Sequence, residues 1–326
     1  MRRGEAVNVF IGVDGGGSKT EIITMLEDTS ILAQFYGGPT NPYTTSPLEA
    51  ASELNRLLET TLTFINDHSL LCNGICLGMS GIYLDEEKNA LINQVTQCLE
   101  RKSFSAKITV CTEGEISLMA ASGEHTGVLV IAGTGSIVYG FTREGSIHRA
   151  GGWGHLLGDE GSGYQIGLQT LQGIMRSYDR VIPPTLLTSL VQEDCRLNEI
   201  TELRTFIYQQ PFSKKTIASY AELCIRAAEE GDPLADSILR SQAASLADTT
   251  TALLHSHPDL QQEVIAMTGS IFLHSSIYRA HYESSLCTIF PHLRMITGSA
   301  DRPPAYGAAL IAQQRFYPDQ GVYGLV

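Results

Sequence analysis

The stretch VFIGVDGGGSKTEI, Val9 to Ile22, decides the fold. An apolar run of strand character reaches Asp14 and breaks at once into glycine, followed by Ser18, Lys19 and Thr20. Glycine lets backbone N–H groups approach an anion with no Cβ in the way. The turn is not a P-loop, because the G-x4-G-K-[ST] spacing is absent, and no G-x-G-x-x-G follows the strand. The same rhythm returns in GVLVIAGTGSIVYG, Gly127 to Gly140. A single glycine turn can end a strand for purely structural reasons. A pair, each behind its own apolar strand, predicts phosphate held from opposite sides of a cleft. Asp14, at the strand end, is placed for Mg²⁺ through water, since that ion keeps its hydration and takes few carboxylates. Ser18 and Thr134 would offer hydroxyls to phosphate oxygens.

Around these turns the chain repeats a plan. Val9–Val13, Glu21–Leu26 and Ile31–Tyr36 read as strands, as do Gly127–Ile131, Ile137–Thr142 and Ser146–Ala150. A helix is predicted from Pro47, with Ser46 as N-cap and Glu49 closing a capping box. Its apolar face is Leu48, Ala51, Leu54, Leu58, Leu62 and Ile65. GICLGMSG reads as a buried strand, EEKNALINQVTQCLE as a helix, and AKITVCTEG as a further strand before a helical stretch at Ile116–Ser122. From Ser162 the pattern turns helical, at Leu168–Ser177, Ile217–Glu229 and Ala235–His255. EVIAMTGSIF gives one more strand entering a glycine turn, and Ala305–Phe316 a closing helix. The expected class is α/β, with two duplicated domains. Their limits are placed at 1–118 plus 305–326 for the first and 119–304 for the second.

Composition sets the outer bounds. The chain has 326 residues, 43% hydrophobic and 17% charged, which suits a compact two-domain protein rather than a disordered one. A net charge of −13 carries no basic stripe for nucleic acid, yet leaves room for an anion held by backbone N–H groups. The seven cysteines are odd in number and lack CxxC spacing, so neither a disulfide framework nor a zinc site is expected. The first residues, MRRGEAVNVFIGVD, have an apolar run too short for export, and no stretch approaches a membrane span. The expected location is the cytoplasm.

Taken together, IGVDGGGSKT, VLVIAGTGSI, GGWGHLLGDEGSGYQIG and MTGSI resemble the BadF/BadG/BcrA/BcrD ATPase family. Within it they resemble the N-acetylglucosamine kinase branch, including bacterial kinases of N-acetylmuramic acid and N-acetylglucosamine. The resemblance runs in order over essentially the whole chain and is most specific at Gly151–Gly163. It implies the actin-like ATPase fold, two ribonuclease-H-like domains with a nucleotide cleft between them. The activity it implies is transfer of phosphate from ATP, with Mg²⁺, to the 6-hydroxyl of an N-acetylated amino sugar. A homodimer is the family's expected assembly, with a small-molecule sugar as partner and neither nucleic acid nor membrane.

By the same resemblance Gly15, Gly16, Gly17, Ser18, Lys19 and Thr20 form the first phosphate motif, and Gly133, Thr134, Gly135 and Ser136 the second. Gly269 and Ser270 of MTGSI form the adenosine motif, with Ala218 and Ser219 as small neighbours of adenine. Asn41, Ser80, Gly152, Trp153, Gly154 and Asp159 would line the sugar pocket, and Asp14 would serve the metal. Phosphoryl transfer to a hydroxyl asks mainly for positioning, charge neutralisation and a carboxylate to take the proton. The family has aspartate where this chain has Glu113, one methylene longer. Glu113 is the first candidate for the base, and it would also touch the sugar. Glu115 and Asp159 are the other candidates, although a carboxylate at the position of Glu115 is favoured by a helix start alone.

Asn41 also suits a plain turn before proline. Trp153 suits core packing as well as sugar stacking, and His155 reads as a structural histidine. Of Asp159 and Glu160, one could coordinate a metal-bound water while the other faces sugar, and the sequence does not choose between them. Arg149 and Lys19 are the basic candidates for the carboxylate that distinguishes N-acetylmuramic acid. Gly307, in GSADRPPAYGAALIA, marks close packing of a helix on another backbone, and this stretch resembles the family's second connecting segment, which implies a hinge for domain closure. Two rival functions remain. One is an ATPase that activates a radical dehydratase or reductase, which would need cysteines for an iron–sulfur cluster. The other is an amino-sugar sensor that has lost catalysis.

Overall fold

The computed structural model describes residues 7–82, 84–209 and 213–317. They divide into two compact units, one taking the described residues through His125 and from Ser299 onward, the other Thr126–Gly298. These limits keep the helix at Glu113–Ser122 whole, whereas a limit at 118/119 cuts through it.

In the first unit β1 (Asn8–Gly15), β2 (Thr20–Leu26) and β3 (Ile31–Gly37) form an antiparallel meander. After α1 (Pro47–Asp67), β4 (Leu71–Met79) joins β1 in parallel. α2 (Asp85–Arg101) leads to β5 (Lys107–Cys111), parallel to β4, and α3 (Glu113–Ser122) follows. The order across the sheet is β3-β2-β1-β4-β5. Strand β1 is buried on both faces, which explains its unbroken apolar run. Val9, Ile11 and Val13 pack with α1 and α2, while Phe10 packs with the closing helix, Pro304–Phe316.

The capping box predicted at Ser46 and Glu49 is present. Leu54, Leu58, Leu62 and Ile65 of α1 are buried as expected, joined by Leu57. Leu48 is a correction: it lies about 120° around the helix from the middle of the face that buries Ala50, Leu54, Leu58 and Ile65, and is 81% exposed. Gly307 meets its expectation closely. A Cβ there would lie 1.9 Å from the Ile116 carbonyl oxygen, and one at Gly12 would lie 2.0 Å from that of Ala305. The closing helix is thus seated on β1 and α3 through glycines. Because backbone, not a flexible side-chain tip, stands in the way, Gly307→Ala is expected to cost about 1–3 kcal/mol or more. A shift in the urea unfolding midpoint measures it.

The second unit repeats the topology. β6 (Gly127–Ala132), β7 (Ser136–Phe141) and β8 (Ile147–Gly151) form the meander. Then come α4 (Gly163–Tyr178), α5 (Leu186–Asp194), α6 (Glu202–Gln209), α7 (Lys214–Glu229) and α8 (Pro233–Ser256). β9 (Val264–Thr268) pairs in parallel with β6, and α9 (Ser270–His274) and α10 (Ser276–Ile289) lead to β10 (Arg294–Thr297). The sheet order β10-β9-β6-β7-β8 is that of the first unit, strand for strand. Among the described residues no helix is long and apolar enough to cross a membrane.

Candidate active site

Each unit places a glycine turn where its first strand ends, and the two half-sites are built differently. In the first unit β1 and β2 pair as far as Gly15 and Thr20, so residues 16–19 make the turn, closed by the Gly16 amide on the Lys19 carbonyl at 3.0 Å. The turn's own carbonyls then gather the sugar candidates. Gly16 accepts from the amides of Thr40 and Asn41, and Gly15 from that of Ser80 at 2.9 Å. A Cβ at Gly15 would meet the Met79 sulfur at 2.4 Å and Thr40 Oγ1 at 2.6 Å, so a side chain there would have to displace both. Gly16, Gly17, Ser18 and Lys19 lie at the open side of the turn, and Lys19 stands 3.7 Å from Glu21. Thr20 departs from its expected role. It is fully buried, and its hydroxyl bonds the Gly38 carbonyl and Thr40 Oγ1, each at 2.8 Å, so it ties the strands together and does not face a ligand.

Asn41 combines its two readings. Its Oδ1 accepts from the Tyr43 amide at 2.8 Å, an Asx turn, while Nδ2 donates to Ser80 Oγ at 3.1 Å. The two predicted sugar contacts are therefore one hydrogen-bonded pair on the first glycine turn. Glu113 opens α3 directly after the N-cap Thr112. Glu115 is spoken for: its Oε2 accepts from the Thr112 amide at 2.7 Å and hydroxyl at 2.8 Å, completing a capping box. That leaves Glu113 as the carboxylate of this helix start without a capping duty.

Asp14 is half-buried at the end of β1, and its pKa is pushed up to about 6. Burial is the main cause, the negative charges of Glu21 and then Glu113 add to it, and Lys19 opposes. Asp14 and Glu113 thus share one electrostatic neighbourhood that carries excess negative charge. Such a place fits a cation. Among the described residues no group of three or more His, Cys, Asp or Glu could cage a metal. Mg²⁺ takes one or two carboxylates, its other ligands being waters and phosphate oxygens, and Asp14 is the carboxylate here that could serve it.

In the second unit the turn Gly133–Ser136 is closed by the Gly133 amide on the Gly135 carbonyl at 2.9 Å. The start of α4 is bonded onto it, Gly163 N to Gly133 O at 2.7 Å and Tyr164 N to Thr134 O at 3.3 Å. Thr134 is exposed, whereas Ser136 is buried and donates its hydroxyl to the Glu160 carbonyl at 2.7 Å. Gly269 has φ +97, and a Cβ there would lie 2.3 Å from the Ala132 carbonyl oxygen, so the segment expected to hold adenosine abuts the end of β6. A Cβ at Gly163 would stand near Gly133, Ala218 and Ile271, which brings the second turn, α7 and the start of α9 around one point. Ser270 and Ser219 are exposed beside it, with Ser219 Oγ on the Thr216 carbonyl.

The glycine–tryptophan segment leaves β8 through Gly151, Gly152 and Gly154, all at positive φ. Trp153 is 63% exposed, which removes the core reading, and the Arg149 guanidinium stacks over its ring at 4.3 Å. His155 packs edge-on against Tyr164, as a structural histidine would. Asp159 is buried with φ +62, and its Oδ2 accepts from Lys214 Nζ at 2.6 Å. The loop around it is pinned by the Gly161 amide on Gln242 and by the Tyr278 hydroxyl on the Gly161 carbonyl. Glu160 exposes its side chain. Lys214 is the residue that sequence reasoning missed, because its partner lies 55 positions away and no motif marks it.

Two sheets of one topology, each opening on a glycine turn, define the actin-like ATPase fold of sugar kinases. A glucokinase of the ROK family from Streptomyces griseus has this fold, with a TM-score of 0.57, 16% identity, and coverage of 94% of this chain and 99% of that one. The chain belongs to the BadF/BadG/BcrA/BcrD ATPase family, whose pattern matches residues 11–312. It is 30% identical over 304 residues to the N-acetylmuramic acid/N-acetylglucosamine kinase of Clostridium acetobutylicum, covering 93% of this chain and 97% of the relative. It is also 30% identical over 315 residues to the N-acetyl-D-glucosamine kinase of Dictyostelium discoideum, with the same coverage.

Proposed function

We propose that this protein is an ATP-dependent kinase of amino sugars that places phosphate on the 6-hydroxyl of N-acetylglucosamine or N-acetylmuramic acid. The observation that carries the reading is the gathering of Asp14, Asn41, Ser80 and Glu113 about the first glycine turn. That turn carries the hydrogen-bonded Asn41–Ser80 pair beside the metal candidate Asp14, and the base candidate Glu113 shares the electrostatic neighbourhood of Asp14. Apart from the Gly16 and Gly133 amides, which close the turns, the glycine turns offer backbone N–H groups to phosphate oxygens. Mg²⁺ bound near Asp14 would neutralise phosphate charge. Asn41, with Ser80, orients the sugar, and Glu113 receives the proton of the attacking hydroxyl. The reading extends to a cytoplasmic homodimer.

Neither rival gains support. Cys72, Cys76, Cys98, Cys111 and Cys224 are buried core residues, Cys195 bonds Tyr220, and of the seven only Cys287 is exposed. This distribution does not suit a surface cluster site. The sensor reading has no observation of its own.

Coupled ADP release across glucose, glucosamine, N-acetylglucosamine and N-acetylmuramic acid tests the proposal. Turnover is expected with an N-acetylated sugar, and none with any sugar would reject it. Arg149 on Trp153 is the cation of the sugar segment and suits the lactyl carboxylate. Arg149→Leu is expected to raise KM for N-acetylmuramic acid about tenfold, the worth of a charge-assisted hydrogen bond. KM for N-acetylglucosamine should move little. Equal changes for both sugars would remove Arg149 from substrate choice.

A further inference from the structure

The second glycine turn carries an ammonium group that none of its motifs announces. A Cβ built on Gly135 would meet Lys214 Nζ at 2.7 Å and Asp159 Oδ2 at 2.9 Å. The ion pair therefore lies directly on the turn, and glycine at 135 makes room for it. Asp159 is buried, with 3% of its side chain exposed, while 33% of the Lys214 side chain reaches solvent. An ammonium has three donors, and Asp159 takes one at 2.6 Å, which leaves the others for an anion. Around Gly133 the space is open, with no atom within 4 Å of a built Cβ. The turn's own donors are depleted, because the Gly133 amide and the Ser136 hydroxyl are spent inside the protein.

Asp159 pays for its place with a left-handed backbone (φ +62) in a loop anchored to α8 and α10. Such a fixed carboxylate holds a lysine at one spot. Resting on the kinase reading, we propose that Lys214 is a nucleotide-phosphate contact of the second turn, and that Asp159 is the positioning residue that holds its ammonium there. On a chain of net charge −13, a local cation at this turn offsets the repulsion a triphosphate would meet.

The test is calorimetric titration of the full-length protein with ADP and Mg²⁺, alongside steady-state kinetics. Lys214→Met is expected to weaken ADP binding and raise KM for ATP about tenfold or more, with KM for the sugar changed far less. Lys214→Arg, which keeps a cation beside Asp159, should recover part of the loss in ADP binding, and the split between nucleotide and sugar KM separates a phosphate contact from a merely structural ion pair. Removing lysine alone strands a buried carboxylate and can unfold the protein, so the neutral pair Lys214→Met with Asp159→Asn is the second variant. Wild-type ADP affinity in the folded double variant overturns the proposal, as does a loss confined to sugar KM. If the wild-type protein itself binds no ADP, the kinase reading falls first. If it binds ADP and phosphorylates sugar while Lys214→Met is unchanged in both, this inference alone fails.

Discussion

Replacing Glu113 with glutamine is expected to lower turnover at least about a hundredfold, the smaller end of what a lost general base costs. The substitution keeps the size of the side chain and removes its ability to take a proton. Glu115 cannot step in, because its carboxylate is committed to the Thr112 amide and hydroxyl at the start of α3. Asp159 is likewise committed, to Lys214. The loss should fall on the chemical step, so sugar and nucleotide affinities should hold within a few-fold while single-turnover rates collapse. Glu113→Asp should retain more activity than the glutamine variant but less than the native protein, since shortening the side chain by a methylene withdraws the oxygen while keeping its charge. Near-native single-turnover rates in Glu113→Gln would remove this residue from proton transfer.

Much of this architecture was readable because it is local. The capping box at Ser46 is set by residues three apart, and the apolar runs of β1 and β6 announce buried strands. Gly307 could be read as a close-packing position because small residues surround it in a helix. What escaped notice depends on contacts distant in sequence. Strand β10 has only four residues, too few to show alternation, and becomes a strand because β9 offers a parallel edge. Thr20 follows a glycine turn, as a phosphate-binding hydroxyl would, and only the folded β-meander turns it inward to Gly38 and Thr40. Lys214 and Asp159 come together through the packing of α7 beside α4, where a Cβ on Gly167 would lie 1.9 Å from the Ile217 carbonyl oxygen.

Asp14→Asn is expected to change activity and stability in opposite directions. As the carboxylate proposed for Mg²⁺, Asp14 should be needed for transfer, and its amide should lower turnover at least about a hundredfold. The ligand-free protein should nevertheless become more stable. Burial first, then Glu21 and Glu113, raise the Asp14 pKa from 3.8 to about 6, so the folded state resists ionising this group more than the unfolded chain does. A raised carboxylate pKa is a penalty on folding that is full above about pH 6 and vanishes below the unfolded pKa near 4. At pH 8 the shift corresponds to about 3 kcal/mol at most, which the neutral amide would relieve. Urea unfolding without nucleotide or Mg²⁺ should therefore give a higher midpoint for the variant at pH 8. The gap should narrow as the pH is lowered from 6 toward 4, because the native carboxyl then takes up its proton. A variant less stable than the native protein at pH 8 would mean that the Asp14 charge is compensated within the fold, and that the first glycine turn is not a site kept under strain for a cation.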